Sequence, residues 1–204
     1  MAPRSTPKPT VSPKQTTLGP ALFKSNNTSS RASAAVPCFV QKKARSAKPD
    51  ASGRVQSDVL LAIQPVHLQN IAARRKNHEY RKYRLQDGVE RLWLYETRGT
   101  RHDPGRAAIT HIAVIPANVR HTPGAVPEEP QGIGNADFNA GLKKSKYGYP
   151  ILAMYELVKP VTLQEMKSTW SLSAPMGWSY VREGMWKDRW GSVDGRDERL
   201  KQVF

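Results

Sequence analysis

The first candidates for chemistry are three charged residues at close spacing, Lys76, Glu79 and Arg81. They lie in the stretch "IQPVHLQNIAARRKNHEYRKYR" at 63–84, in which Glu79 is the only acidic residue among several Lys and Arg residues. Residues two apart on a strand point to the same face, so Glu79 and Arg81 are expected to share a face, with Lys76 in the turn before them. The neighbouring cations are expected to keep the carboxylate of Glu79 ionised.

An ionised carboxylate between two cations can recognise a nucleobase. It accepts hydrogen bonds from an exocyclic amino group, while Lys76 and Arg81 bind a phosphate or a carbonyl oxygen. Two other interpretations stay open. One is an ion pair between Glu79 and Arg81 that only stabilises the fold, and the other is a role for Glu79 as a general base acting on water.

The charge of the chain narrows the class of partner. The 204 residues carry a formal net charge of +15 with a pI near 10.1, which predicts attraction to polyanions, above all to nucleic acid. An anionic membrane surface is the main rival, but the longest apolar runs, such as "VLLAI" at 59–63, are too short to span a bilayer. The sequence therefore predicts a nucleic-acid partner and no membrane association.

Three features of the sequence bear on the compartment. The N-terminal segment lacks the apolar core of a secretory signal. Cys38 is the only cysteine, which excludes an internal disulfide and suits a reducing compartment. The basic cluster "QKKARSAKP" at 41–49 is typical of nuclear-import or phosphate-contacting segments. We therefore expect a nuclear or cytoplasmic protein, with the nucleus favoured.

Residues 1–56 are predicted to form a disordered basic arm. They are rich in Pro, Ser, Thr, Ala and Lys, and Asp50 is their only acid. Such an arm adds sequence-independent affinity for nucleic acid; alternatively, it is the segment through which an adaptor recruits a protein partner. Residues 57–204 are predicted to form the folded domain, with an insertion loop at 116–149 and a C-terminal extension from about residue 182.

The folded part is predicted to alternate strands with short helices. Strands are expected at 58–63, 78–85, 90–97, 107–115 and 149–158. A first helix is expected from Pro65, with Leu68, Ile71 and Ala72 on its apolar face, and a second at 161–170. In the second helix, Thr162 and Glu165 are spaced as a capping box. Trp186 and Trp190, four apart, are predicted to lie on one helical face that covers the sheet. This order favours a mixed α+β domain built on a small curved sheet or barrel.

The segment from Val59 to Arg84 resembles the start of an ASCH domain, part of the PUA-like superfamily of small β-barrels. That family shows a strand, a helix that opens near a proline, and a G-x-K-x-x-E-x-R corner that leads into a strand. Lys76, Glu79 and Arg81 match the corner, whereas Arg74 stands in place of the glycine. The resemblance covers about residues 57–181, through "VERLWLYET", "AITHIAVI" and "LSAPMGWSYV". It implies a PUA-like β-barrel with short flanking helices, and Arg74 predicts a turn without a positive φ.

The resemblance also implies a cleft beside the corner that holds RNA, DNA or a nucleobase-like ligand, next to Arg74, Lys76, Glu79 and Arg81. Some small ASCH proteins resemble amidohydrolases acting on acetylated cytidine, which use a lysine in this corner and a threonine nucleophile. Glu79 stands where that threonine would be, so a hydrolase here would depend on Lys76 and Glu79 without its nucleophile. A non-catalytic nucleic-acid-binding domain is therefore favoured, with a small amidohydrolase acting on a modified nucleoside as the alternative.

A second candidate site is the basic loop "LKKSKYGY" at 142–149. Lys143, Lys144 and Lys146 offer phosphate contacts, and Tyr147 and Tyr149 offer faces on which bases stack. The alternative is a solvated loop whose tyrosines pack into the domain.

Trp178 is a further candidate for base stacking, with packing in the core as the alternative. The five histidines are scattered without the spacing typical of metal ligands, and the sequence contains no phosphate-binding glycine motif. We therefore predict neither a metal nor a cofactor.

Overall fold

The computed structural model describes residues 53–191 and 195–204. The elements of these residues, in chain order, are β1 (Arg54–Ile63), α1 (Pro65–Ala72), β2 (His78–Arg81), β3 (Arg91–Glu96), β4 (Ala108–Val114), α2 (Asn135–Asn139), β5 (Tyr147–Pro150), β6 (Ala153–Thr162), α3 (Leu163–Trp170), β7 (Trp178–Arg182), α4 (Glu183–Arg189), α5 (Arg196–Arg199) and β8 (Leu200–Gln202). The predicted mixed α+β class is confirmed.

The described strands lie in two sheets. Six strands form one sheet in the order β7-β1-β3-β4-β6-β8, and β2 pairs with β5 in a separate two-stranded sheet. Strand β1 runs parallel to β3, and the other neighbouring strands in the large sheet are antiparallel. No pairing joins β7 to β8 within the described residues, so closure of the predicted barrel is not seen.

The large sheet is buried on both faces, which explains the apolar run of β1. Val59, Leu61 and Ile63 pack in one core cluster with Leu68 and Ile71 of α1. On the other face, Leu60 packs in a second cluster that contains residues of α3 and α4. A strand covered on both faces needs apolar residues at successive positions rather than in alternation. Strand β1 therefore lies in the middle of a layered domain.

Two predicted strands differ from the observed ones. The strand predicted at 78–85 ends at Arg81, because β2 pairs with only the four residues of β5. The strand predicted at 149–158 is interrupted between Pro150 and Ala153, since β5 joins the small sheet and β6 joins the large one. The predicted insertion at 116–149 also contains structure, because α2 and the start of β5 lie within it.

The predicted conformation of Arg74 was wrong. Arg74 follows the C-cap of α1 and has a φ of 57°, in the left-handed region that favours glycine. Its amide donates to the carbonyl of Ile71 at 2.8 Å, which closes the helix end. Its guanidinium lies over the ring of Phe204, 5.0 Å from the ring centroid. The turn therefore keeps the backbone form that suits glycine, and the arginine adopts it at an energetic cost.

The C-terminal residues contribute a strand to the large sheet and a helix to its second core cluster. Strand β8 pairs with β6, and α4 packs on the second core cluster. Trp186 and Trp190 both belong to that cluster, as their spacing predicts, and Trp190 contacts Tyr155 edge to face. The domain also begins earlier than predicted, because β1 starts at Arg54; the rest of the predicted arm lies outside the described residues.

None of the helices in the described part of the chain combines the length and hydropathy needed to cross a lipid bilayer.

Candidate functional site

The corner after α1 brings Lys76, Glu79 and Arg81 into direct contact. The ammonium of Lys76 donates to Oε2 of Glu79, and Nη2 of Arg81 lies 2.9 Å from Oε1 of the same carboxylate. Lys76 and Glu79 are buried, with residue exposures of 6% and 5%. The shared face that strand spacing predicts for Glu79 and Arg81 is confirmed, and each carboxylate oxygen has one cation.

The electrostatic balance at Glu79 favours the charged form. Burial by itself raises the pKa of the Glu79 carboxyl, but the nearby charges of Lys76 and Arg81 and the hydrogen bond from Lys76 outweigh it. The pKa of Glu79 therefore lies below its ordinary value, and the carboxylate is ionised at neutral pH. An ionised carboxylate only accepts hydrogen bonds, and the lowered pKa makes it a weak general base.

Arg81 connects the corner to the large sheet. Its Nη2 donates to the main-chain oxygen of Ala62 on β1 at 2.6 Å, in addition to its contact with Glu79. Its Nε is buried and has no hydrogen-bond partner among the described residues. One guanidinium thus holds the end of β2 against the end of β1.

A cleft of about 350 Å³ opens beside this corner. Its lining comprises Ala62, Ile63, Gln64, His67, Glu79, Tyr80, Arg81 and Thr97. The end of β1, the first turn of α1, β2 and the residue after β3 therefore all contribute to one depression. The volume lies at the lower end of the range of small-molecule sites, about 300–1,000 Å³. Sequence reasoning found Glu79 and Arg81 but missed the other lining residues, because β1 and β3 approach β2 only through tertiary packing.

Tyr80 forms an aromatic wall of the cleft. Its ring packs on Phe138 of α2, with 4.5 Å between the ring centroids, and its hydroxyl donates to Oδ1 of Asn135 at 2.7 Å. The ammonium groups of Lys76 and Lys143 lie 5.7 Å and 5.6 Å from the ring centroid. Glu79 and Tyr80 are adjacent on β2, and both line the cleft.

His67 lies on the first turn of α1 and is neutral at neutral pH. Desolvation lowers the pKa of its imidazole, and Lys76, Lys143 and Arg81 lower it further, against the opposite effect of Glu79. A neutral imidazole at the mouth of the cleft can both donate and accept a hydrogen bond.

The three loop lysines separate into one residue near the cleft and two away from it. Lys143 lies over Tyr80 and is 4.0 Å from Asp137, whereas Lys144 and Lys146 are exposed and make no ion pair among the described residues. The structure thus brings one lysine of the predicted loop to Tyr80, which lines the corner cleft.

The two tyrosines of the loop are held in the domain. Tyr149 is fully buried, so its predicted role as a stacking face is wrong. Its hydroxyl accepts from the amide of Leu85 at 2.8 Å and donates to the carbonyl of Tyr83 at 2.7 Å. Tyr147 is half-buried and packs against the first core cluster, which agrees with the packing alternative.

Trp178 and Arg74 do not line the corner cleft. Trp178 is half-buried on β7, contacts Tyr180 edge to face, and lines a separate cleft with Arg54 and Arg182. Arg74 is exposed and lies over Phe204. The structure therefore brings together Lys76, Glu79, Arg81 and Lys143 from the predicted site residues, and leaves Trp178 and Arg74 elsewhere.

The histidines that the sequence leaves scattered include one close pair. Nε2 of His78 lies 3.2 Å from Nδ1 of His121, and Nδ1 of His78 lies 2.9 Å from Oδ1 of Asn77. Burial, together with the nearby His121 and Lys76, lowers the pKa of His78 to about 4. Among the described residues, no group of three or more His, Cys, Asp or Glu side chains has the arrangement of a metal site.

The described residues form a mixed α+β domain with a cleft beside the corner that contains Glu79 and Arg81. Solved structures similar to the chain include ASCH from Zymomonas mobilis, which is 16% identical, with coverage of 64% of this chain and 91% of that chain and a TM-score of 0.45. A serine-to-alanine variant of that protein gives 16% identity, coverage of 66% and 95%, and a TM-score of 0.46. A tyrosine-to-phenylalanine variant is 16% identical, with coverage of 65% of this chain and 95% of that chain and a TM-score of 0.45. No protein-family model and no curated protein matches the sequence. The similarity concerns the fold alone.

Proposed function

We propose that this domain binds nucleic acid and holds one unpaired base in the cleft beside Glu79. The observation that carries the proposal is a buried, ionised carboxylate at the wall of a cleft in a strongly basic chain. A buried anion repels phosphate but accepts hydrogen bonds well, so its natural partner is a donor such as the exocyclic amino group of cytosine, adenine or guanine. The surrounding positive charge attracts the phosphates of the same strand.

Each residue of the corner has a distinct role in this proposal. Glu79 accepts from the base, and Arg81 and Lys76 hold the carboxylate in place and keep it charged. Lys76 is too deeply buried to serve as the main phosphate contact. Tyr80 supports one side of the base, and the neutral His67 offers a further hydrogen bond at the mouth. The domain thus recognises a base through one acceptor that it has positioned before binding.

The proposal assigns no catalysis to the corner. General-base catalysis is most efficient when the pKa of the base lies near the working pH, and the pKa of Glu79 lies below its ordinary value. Both oxygens of Glu79 are also held by cations. The structure therefore supports a hydrogen-bond acceptor better than a base that removes a proton from water.

The test is a binding panel with a variant that fills the cleft. Single- and double-stranded RNA and DNA, and the free nucleosides cytidine, adenosine, guanosine and uridine, are titrated against the full chain. We expect single strands and amino-bearing nucleosides to bind more tightly than uridine. Gln64→Trp places a large side chain at an exposed position of the cleft lining and should abolish nucleoside binding.

The matched control is Gln69→Trp, at an exposed position of the same helix that is outside the cleft lining. It should bind as the wild type does. Equal nucleoside binding by both tryptophan variants would contradict the proposed cleft, and absence of binding by the wild type would contradict the function. Release of acetate from acetylated cytidine would favour the hydrolase alternative.

A further inference from the structure

We propose that the hairpin between β3 and β4, residues 97–106, is a phosphate-binding element for the strand whose base occupies the Glu79 cleft. This inference rests on the proposed function and adds a second contact surface to it. The hairpin has the sequence "TRGTRHDPGR", and its cations are Arg98, Arg101 and Arg106, all exposed. The corner motif and the basic loop at 142–149 do not include any of these residues.

Two of the three arginines are available for a ligand. Arg106 lies 2.7 Å from Glu96 and 3.7 Å from Glu156, so its charge is already balanced. No ion pair or hydrogen bond among the described residues involves the side chain of Arg98 or Arg101. An exposed arginine without a carboxylate partner binds phosphate in a bidentate manner without first breaking an internal contact.

The hairpin is fixed to the helix that lines the cleft. Oδ2 of Asp103 accepts from the amide of Val66 in the first turn of α1, at 2.9 Å. Within the hairpin, the amide of Thr100 donates to the carbonyl of Asp103 at 2.9 Å, and that of Gly105 donates to the carbonyl of Arg98 at 2.7 Å. Asp103, the only acid of the hairpin, therefore binds the helix rather than Arg98 or Arg101. This contact fixes the hairpin on α1 and leaves the two arginines without an ion pair.

Close packing of the glycines fixes the hairpin further. A Cβ atom on Gly99 would lie 1.9 Å from the carbonyl oxygen of Asp103 and 2.9 Å from Cγ of Pro65. A Cβ atom on Gly105 would lie 2.6 Å from the same atom of Pro65. The hairpin thus lies directly on the start of α1, which leaves little conformational entropy to lose when it binds a ligand.

The position of the hairpin relative to the cleft suits a nucleotide strand. Thr97, the first residue of the hairpin, lines the cleft. The hairpin packs on Pro65, which directly follows the lining residue Gln64. Lys143 lies over the ring of Tyr80, another lining residue of the same cleft. A base in the cleft would therefore have cations on the hairpin and on the 142–149 loop to bind the phosphates that flank it. We infer that the bound strand runs between these two basic elements.

The test compares ligands with and without phosphate. The double variant Arg98→Gln/Arg101→Gln is titrated with a short single-stranded oligocytidylate at several salt concentrations, and with free cytidine. The loss of two phosphate contacts should lower oligonucleotide affinity about tenfold at low salt and reduce the slope of log K against log salt by about 1.4. Cytidine affinity should equal that of the wild type, because a nucleoside carries no phosphate.

The control variant Lys167→Gln/Lys201→Gln removes the same charge at exposed positions outside both the cleft lining and the hairpin. It should change the slope of log K against log salt for the oligonucleotide by much less than the arginine variant does. Equal slopes for the two double variants would overturn the inference, as would a parallel loss of cytidine binding in the arginine variant. If the wild type binds neither ligand, the proposed function itself fails. If the wild type and the arginine variant both bind the oligonucleotide and cytidine, and the salt dependence of oligonucleotide binding is the same for the two proteins, only the role of the hairpin is excluded.

Discussion

The guanidinium of Arg81 lies 2.9 Å from the carboxylate of Glu79, and the same Nη2 atom donates to the main-chain oxygen of Ala62 at 2.6 Å. This contact joins the two-stranded sheet, which contains β2, to the six-stranded sheet, which contains β1. The ion pair that the sequence offered as an alternative to a binding role therefore exists. Because Glu79 and Arg81 also line the cleft, the pair that joins the two sheets lies at the proposed binding site.

Replacement of Glu79 by glutamine should destabilise the domain strongly. The change leaves the buried ammonium of Lys76 without its anion, and the loss of one partner of a buried pair costs about 3–5 kcal/mol. The double variant Lys76→Met/Glu79→Gln should recover part of this loss, since it buries no ammonium. Urea unfolding followed by circular dichroism measures both. Glu128→Gln, at an exposed carboxylate, is the control and should leave the free energy of unfolding nearly unchanged. Equal stability of the Glu79→Gln variant and the control would show that the ion pair does not stabilise the fold.

Tyr149→Phe should lower stability without a direct effect on ligand binding. The hydroxyl of this fully buried residue bridges the amide of Leu85 and the carbonyl of Tyr83, and its removal leaves both groups without that partner. A buried polar group without a partner costs about 1–3 kcal/mol. Tyr147→Phe is the matched control, because the hydroxyl of Tyr147 makes no hydrogen bond among the described residues. Thermal unfolding distinguishes the two; equal melting temperatures would show that the bridge contributes nothing.

The stability of the domain should fall between pH 6.5 and pH 4 in part because of His78. The pKa of His78 is lowered from 6.5 to about 4, so the folded protein keeps it neutral while the unfolded chain takes up a proton as the pH falls below 6.5. The stabilisation is complete above pH 6.5 and is lost progressively down to about pH 4, with a total on the order of 3 kcal/mol.

Unfolding curves of His78→Gln over the same pH range test this expectation. Glutamine does not titrate, so the variant should show a shallower loss of stability than the wild type. Burial also lowers the pKa of His111 to about 4. Part of the pH dependence of stability should therefore remain in the variant. Parallel pH profiles of the two proteins would show that His78 does not contribute.

Local sequence patterns were sufficient to predict two of the observed side-chain contacts. The N-cap interaction of α3, in which the amide of Glu165 donates to Oγ1 of Thr162 at 3.2 Å, follows from a spacing of three residues. The pairing of Glu79 with Arg81 follows from the alternation of side chains along a strand. Both relationships lie within a few residues of the chain, where periodicity and capping rules apply directly.

Relationships that depend on tertiary packing were not predictable in this way. Arg74 adopts a positive φ because the end of α1 requires it, although its residue type suggests otherwise. Thr97 reaches the cleft because β3 lies beside β1, which the order of the strands in the sequence does not specify. Tyr149 is buried because β5 pairs with β2 and turns its ring toward the core. The positions of Thr97 and Tyr149 depend on contacts between segments that are distant in sequence, whereas the conformation of Arg74 depends on where α1 ends.

The lysines of the 142–149 loop should contribute unequally to nucleic-acid affinity. Lys143 lies over the ring of Tyr80, which lines the cleft, whereas Lys144 and Lys146 are exposed. Replacement of all three by alanine should weaken oligonucleotide binding and change the melting temperature little, since exposed charges contribute only about 0–1 kcal/mol to stability. Among single variants, Lys143→Gln should reduce affinity more than Lys144→Gln, because only Lys143 is positioned beside a base in the cleft. Fluorescence anisotropy with a labelled single strand measures the affinities. Equal effects of the two single variants would indicate that the loop acts only through its net charge, and no effect from the triple variant would remove the loop from the binding surface.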